Sequence, residues 1–178
     1  MIETERLLLR VWREEDRDRF WEMTSDTAMM RFLKMLSREK SDAGIDRQFA
    51  HQAEHGHCFW VTERKADNRT IGYCGIIPPR APTFEYELGW RFESVVWGQG
   101  YAREAAQATL DWAWDHIDTQ TVVAITNPEN TRSWGLMLRL GMTHNPAEDF
   151  DDPDVPADVP GGDPLRRCVV YRINRPDD

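Results

Sequence analysis

Cysteine is scarce and unpatterned: Cys58, Cys74 and Cys168 form no C-x-x-C pair, and an odd number cannot all pair within one chain. This excludes a disulfide scaffold and predicts a reduced compartment. No apolar run approaches the length of a membrane span, and Met1-Ile2-Glu3-Thr4-Glu5-Arg6 lacks the apolar core of a signal peptide. A cytoplasmic location with no membrane partner is the expectation. Positive charge is the minority: 22 basic residues against 31 acidic ones leave a net charge of −9, which opposes approach to phosphate backbones. Nucleic acid is therefore not an expected partner, and the same field favours a cationic substrate, an amine among others. Internal repeats are absent too.

What is present is core-forming. With 178 residues, 40% of them hydrophobic, and eight Trp, the chain carries the surface for one sizeable core, so 1–178 reads as a single domain. Residues 7–12 read as a strand, and the charged run after them opens a helix through about Met23. A second helix is predicted over 41–55. Strands at 58–62 and 70–77 are joined by the turn tetrapeptide Ala66-Asp67-Asn68-Arg69, with Pro78-Pro79-Arg80-Ala81-Pro82 ending the second. Phe84, Tyr86, Leu88, Trp90 and Phe92 then alternate with Glu85, Glu87, Gly89 and Arg91, the strict period of a strand. Helical spacing takes over at Ala102, Ala106, Leu110, Ala113 and Ile117, a smooth stripe suited to lying on a sheet. Residues 121–126 form another strand, Asn127-Pro128-Glu129 reads as a capped helix start, that helix ends at Gly141, and 166–173 supply a last strand. This order describes an α+β fold around one mixed, mostly antiparallel sheet flanked by helices.

The most informative stretch is Trp97-Gly98-Gln99-Gly100-Tyr101-Ala102-Arg103-Glu104, between the alternating strand and the small-residue helix. Glycines allow a tight turn that brings N–H groups to one point, where the helix start adds unpaired donors and positive dipole. A phosphate is the natural guest. The plain alternative is a strand-to-helix turn that needs glycine for its geometry alone. A P-loop is ruled out because no Gly-Lys-Ser/Thr follows, and a dinucleotide fingerprint because Arg103 stands at the helix packing position.

Residues 97–102 resemble the Gln/Arg-x-x-Gly-x-Gly/Ala signature of the GNAT superfamily, with Trp97 departing from it in the manner of the RimJ/RimL-like branch. Glu3-Thr4-Glu5-Arg6-Leu7-Leu8-Leu9-Arg10 and Ile71-Gly72-Tyr73-Cys74-Gly75 are similar to that branch's first and third strands. Asn127-Pro128-Glu129-Asn130-Thr131-Arg132-Ser133 with Leu140-Gly141-Met142 resembles its second coenzyme motif. The resemblance implies an acetyl-CoA-dependent N-acetyltransferase acting by direct attack in a ternary complex, with no metal, as monomer or homodimer. Its acceptor would be a primary amine, on a protein N-terminus or a small molecule. It puts the pyrophosphate on the amides of Gly98, Gln99, Gly100, Tyr101, Ala102 and Arg103, beside Trp97. The pantetheine would run along Phe92, near which a backbone N–H serves the developing oxyanion, and Asn130 and Ser133 would meet its thiol end. Asn130 as a helix cap and Ser133 as a back-bonded serine are the plain alternatives.

For proton removal, Glu87 projects from the polar face of the alternating strand and resembles the glutamate of a Glu-Ile-Gly-Tyr stretch where such bases sit; a solvated edge or an ion pair with Arg91 is the alternative. The tyrosine that many relatives use for the departing thiolate is replaced by Met137, so the resemblance passes that role to Ser133. His51 and His55 have ligand-like spacing but no third partner and read as an exposed helix face. Residues 148–163 carry seven carboxylates, Asp151, Asp152 and Asp154 among them, and no Lys or Arg. This reads as a one-signed patch beside the incoming amine, or as a loop kept soluble by its charge and stiffened by Pro153, Pro156, Pro160 and Pro164. Other classes consistent with the residues are a non-catalytic acyl-CoA-binding domain and an unrelated phosphate-binding module.

Overall fold

A computed structural model describes residues 1–33, 37–153, 155 and 163–176. The chain opens with β1 (Ile2–Glu3) and β2 (Leu7–Arg10), an antiparallel pair, followed by α1 (Asp16–Met23), α2 (Thr27–Met30) and α3 (Arg38–His55). Next come β3 (Phe59–Arg64), β4 (Arg69–Arg80) and β5 (Glu85–Phe92), then α4 (Tyr101–His116), β6 (Thr121–Thr126) and α5 (Thr131–Arg139). Short β7 (Thr143–His144) and β8 (Phe150–Asp151) precede β9 (Arg167–Asn174). The sheet order is β1-β2-β3-β4-β5-β6-β9-β7, with β8 on β9. Every pairing is antiparallel except β5 with β6. The expected mostly antiparallel sheet flanked by helices is what forms.

The α4 stripe works as its spacing predicts: Ala105, Ala106, Leu110 and Ala113 are buried against the sheet, and small side chains let the helix lie close. Thr109 is buried with them and satisfies its hydroxyl on the Ala105 carbonyl at 2.9 Å. On the other face, α1 is fixed by a buried ion pair. Arg10 donates to both oxygens of Asp16 at 2.7 and 2.8 Å, while Asp16 Oδ2 accepts from the Arg13 N–H at the helix start.

Several boundaries differ from the sequence reading, each for a local reason. β4 does not stop at Pro78; it runs to Arg80 because its register against β5 shifts between Ile77 and Arg80, a bulge where proline's missing N–H costs nothing. Phe84 does not join the alternating strand: it sits at φ 55° and is exposed, so β5 begins at Glu85. α3 starts earlier than Ser41, at Arg38, because the Ser37 hydroxyl accepts from the Lys40 N–H. α2 is too short for periodicity to reveal. Its cap, Asp26, accepts from Ala28 and Met29 and also from the Ser94 N–H at 2.6 Å, tying it to the chain after β5. Asn127 is not the α5 cap. Its side-chain oxygen Oδ1 takes the Glu129 N–H in a tight turn and its side-chain amide donates to the Pro164 and Arg167 carbonyls, so α5 begins at Thr131, capped by Asn130.

Candidate active site

β5 and β6 pair only at Tyr86 with Val122 and Glu87 with Val123; beyond these the strands diverge. The Glu93 N–H donates to Ile71 on β4, so by alternation Trp90 and Phe92 turn their N–H and C=O groups the other way, towards the gap. The Phe92 carbonyl is taken by the Trp97 indole at 2.8 Å. A cleft of ≈ 1790 Å³ fills this divergence. Of the residues singled out from sequence, Glu87, Phe92, Trp97, Gly98, Gly100, Tyr101, Ala102, Arg103, Asn130 and Ser133 line it. Gln99 does not: its side chain reaches back to the Val95 carbonyl and its own carbonyl accepts from Arg6 Nη1.

At the mouth, Gly98 and Gly100 adopt φ of 77° and 85°, a left-handed backbone that other residues enter at a cost of roughly 1–2 kcal/mol. The first backbone bond of α4 is from Glu104 to the Gly100 carbonyl. The N–H groups from Gly98 through Arg103 therefore have no backbone acceptor among the described residues, and they gather at the positive end of a sixteen-residue helix. Arg103, Arg132 and Arg139 line the same region without a carboxylate partner among the described residues, and the Arg132 guanidinium lies 4.6 Å over the Trp97 ring. Free amides, dipole and guanidinium groups fit a pyrophosphate.

The turn is braced from the N-terminal strands. The Glu104 carboxylate accepts from Thr4 Oγ1 at 2.6 Å and from the Arg6 N–H and Nε at 2.9 and 2.6 Å. Arg6 also holds the Gln99 carbonyl at 3.0 Å and lies over the Tyr101 ring. Burial works to raise the pKa of Glu104, but the hydrogen bonds from Thr4 and Arg6 outweigh it and hold the carboxyl below its ordinary value. The motif Glu3-Thr4-Glu5-Arg6 pointed to a strand; its role at the turn, together with Arg132 and Arg139, lay outside the sequence reading. Glu104→Gln is expected to weaken binding of a pyrophosphate-bearing ligand at the turn about tenfold, since the brace positions the amides. Direct ligand titration equal to the parent would reduce the brace to a structural tie.

Deeper in the cleft, Glu87 is ion-paired with Arg80 at 2.7 Å and not with Arg91. Both Arg80 contacts fall on Oε2, so Oε1 has no partner among the described residues. Its neighbour Glu85 is fully engaged by Arg172 and Thr121. Asn130 spends its side chain locally: its oxygen caps the Ser133 N–H at 3.3 Å and its amide donates to Thr126 Oγ1 at 3.1 Å. Ser133 sits one turn on, facing the same cleft. Cys168 lines the cleft as well, its thiol pushed up to about 11 by burial first and then by Asp152, Glu87 and Asp151. It is not an activated nucleophile.

Among the described residues, three carboxylates of the acidic segment are paired. Glu148 pairs with Arg172, Asp149 with His144 and the Val170 N–H, and Asp151 with Arg166 and Arg167, all but His144 supplied by or next to β9. Asp152, Pro153 and Leu165 do reach the cleft; Asp154, Pro156 and Pro160 lie outside the described residues. His51 is not on an exposed face either, being half-buried with Nδ1 enclosed. No metal-holding group of His, Cys, Asp and Glu occurs among the described residues.

The model of the acetyltransferase (GNAT) domain family matches residues 6–143. The chain belongs to the GNAT acetyltransferase family. The acetyltransferase is 31% identical over 143 residues to the uncharacterized N-acetyltransferase YnaD of Bacillus subtilis, covering 79% of this chain and 81% of that one. It superimposes on a GNAT-family acetyltransferase from Bacillus anthracis with a TM-score of 0.76 at 25% identity, over 97% of both chains. A ribosomal L7/L12 alpha-N-protein acetyltransferase, RimL, solved with coenzyme A, shares the fold at 13% identity with a TM-score of 0.76, over 96% of this chain and 95% of that one. Membership implies acetyl-CoA-dependent acetyl transfer, and the turn of this acetyltransferase has the donors to seat that coenzyme. No helix among the described residues is long and apolar enough to cross a membrane.

Proposed function

We propose that the enzyme acetylates a primary amine by direct attack in a ternary complex, as a metal-independent, RimJ/RimL-like member of the family. The observation that carries this is the divergence of β5 from β6, which opens a cleft with phosphate-ready amides at its mouth and a carboxylate at its inner end. Acetyl-CoA, when bound, supplies an acyl carbon activated as a thioester, so that a C–N bond forms as the C–S bond breaks. The amides of Gly98, Gln99, Gly100, Tyr101, Ala102 and Arg103 hold the phosphates. Backbone N–H groups of Trp90 and Phe92, turned to the gap, are in position to steady the developing oxyanion. Glu87, through its unpaired Oε1, takes the proton the amine gives up, directly or through water. The Ser133 hydroxyl, near the thiol end of the cleft, lends a proton to the departing sulfur. The raised thiol of Cys168 argues against a covalent acyl-enzyme at that residue and so favours direct transfer.

The test is release of free CoA thiol across peptides, polyamines and small amino compounds. Binding of acetyl-CoA with no release across the panel would leave a coenzyme-binding module and sink the enzymatic reading. Ser133→Ala is expected to lower kcat about tenfold, at the small end for an acid catalyst because a CoA thiol needs only weak help near neutral pH. Parental turnover would return Ser133 to packing.

A further inference from the structure

Beyond Glu87, a second chamber of ≈ 330 Å³ opens between α3 and the sheet, sharing Arg47, Tyr73, Arg80 and Arg91 with the cleft. Its size is at the low end of the range for small-molecule sites. One face of α3 lines it with Ser41, Gly44, Ile45, Gln48 and His51. Opposite stand the rings of Trp12, Phe20, Phe59 and Tyr73, the last two stacked at 5.5 Å with 14° between planes.

Among the described residues, Ser41 Oγ, His51 Nδ1 and Arg91 Nε are buried without a hydrogen-bond partner, and all three residues line this chamber. Ser41 is 0% exposed. A buried polar group left unpaired is costly and calls for an occupant that satisfies it. Ser41 and His51 stand ten residues apart on α3, about 15 Å, and His51 lies by Arg80 at the Glu87 end, so a single anion can meet Ser41 and Arg91 and not His51 as well. Arg91 Nε can only donate, so the occupant must accept. Its guanidinium is already held in place, 5.2 Å over Tyr73 and 5.9 Å from the Phe20 ring, with Nη1 3.9 Å from Met30 Sδ. Lys40, Arg47 and Arg91 all line the chamber and have no carboxylate partner among the described residues. The pKa of His51 is lowered by burial first and then by His55, Arg47 and Arg80, as a locally positive field requires. A polyamine would set cation against cation here.

We infer that the acceptor is an amine that also carries an anionic group, a carboxylate or a phosphate, across a flat apolar body, with Arg91 and Ser41 seating the anion. This rests on the acetyl-transfer reading, which puts the amine at Glu87. The two residues are four apart on one strand, so their Cα atoms lie about 13 Å apart, a span for a short body plus the arginine side chain.

The experiment compares CoA release from 4-(aminomethyl)benzoate, 4-(aminomethyl)phenyl phosphate and the uncharged 4-methylbenzylamine, alongside direct binding of amine-free 4-methylbenzoate. At least one anionic amine is expected to exceed 4-methylbenzylamine about 100-fold in kcat/KM, chiefly through KM, and the better one identifies carboxylate or phosphate. Arg91→Met should erase that preference and the binding of the amine-free probe while leaving 4-methylbenzylamine within a few-fold. Should Arg91→Met fail to fold, Ser41→Ala, which removes one hydroxyl, should cut the preference about tenfold. Equal or better use of 4-methylbenzylamine, or an equal loss for every substrate in the variants, overturns the inference while acetyl transfer stands. No CoA release from any amine, with 4-methylbenzoate still bound in an Arg91-dependent way, keeps the anion seat and overturns the acetyl-transfer reading. Absence of both release and binding overturns the seat.

Discussion

Gly100→Glu is expected to weaken CoA binding on the order of 100-fold or more while far-ultraviolet dichroism stays that of the parent. Three effects act together. Gly100 caps α4 at φ 85°, where any side chain is strained by about 1–2 kcal/mol. A Cβ there would meet Arg6 Nη2 at 3.3 Å, so the new side chain displaces the guanidinium that braces the turn. The added carboxylate then sits among amides suited to phosphate, and like charge across a binding site costs several kcal/mol. At about 1.4 kcal/mol per factor of ten, a charge cost of about 3 kcal/mol alone gives roughly 100-fold, while the backbone strain, carried by free and bound protein alike, is felt mainly as lost stability. Gly98→Ala is the control: its Cβ meets nothing within 4 Å, so it carries only the backbone strain. Calorimetric titration that finds parental affinity in Gly100→Glu would remove the turn from the coenzyme site.

Glu87→Gln is expected to lower kcat/KM by about 10²-fold near neutral pH, the ordinary contribution of a positioned base. The deficit should be widest below the pKa of the acceptor amine, where a proton must be removed before attack, and should narrow as pH rises through it. Gln keeps the shape and an oxygen for Arg80, so the ion pair's positioning role is largely preserved while the basic oxygen is lost. A pH profile merely scaled down at every pH would assign Glu87 to holding Arg80, and an unchanged one would remove it from the mechanism.

Legibility followed the range of the interactions. The period-two strand, the small-residue stripe of α4 and the glycine turn are each written within a few consecutive residues, and all three form in place, the strand beginning one residue late at Glu85. Asn127 misled because its cap-like neighbourhood hides a tertiary task, tying β6 to the segment before β9. Arg80 stayed hidden as Glu87's partner because a bulge between Ile77 and Arg80 sets the register, and no local pattern announces one. Net charge carries no local detail. The figure of −9 averages over the surface, whereas Arg166, Arg167 and Arg172 pair with Asp151 and Glu148, and cations without a carboxylate partner among the described residues line the turn and the second chamber. Only the fold tells which charges are spent on one another.

The amides from Gly98 through Arg103 have one more consequence. A seat made largely of main chain is indifferent to side-chain replacements outside the Thr4, Arg6 and Glu104 brace, provided the two glycines keep their left-handed conformation. The second chamber is the reverse, its character residing in the side chains of one helical face and of β5. On the proposed reading, mutation along α3 would redraw which molecule is accepted while leaving the donor seat as it is.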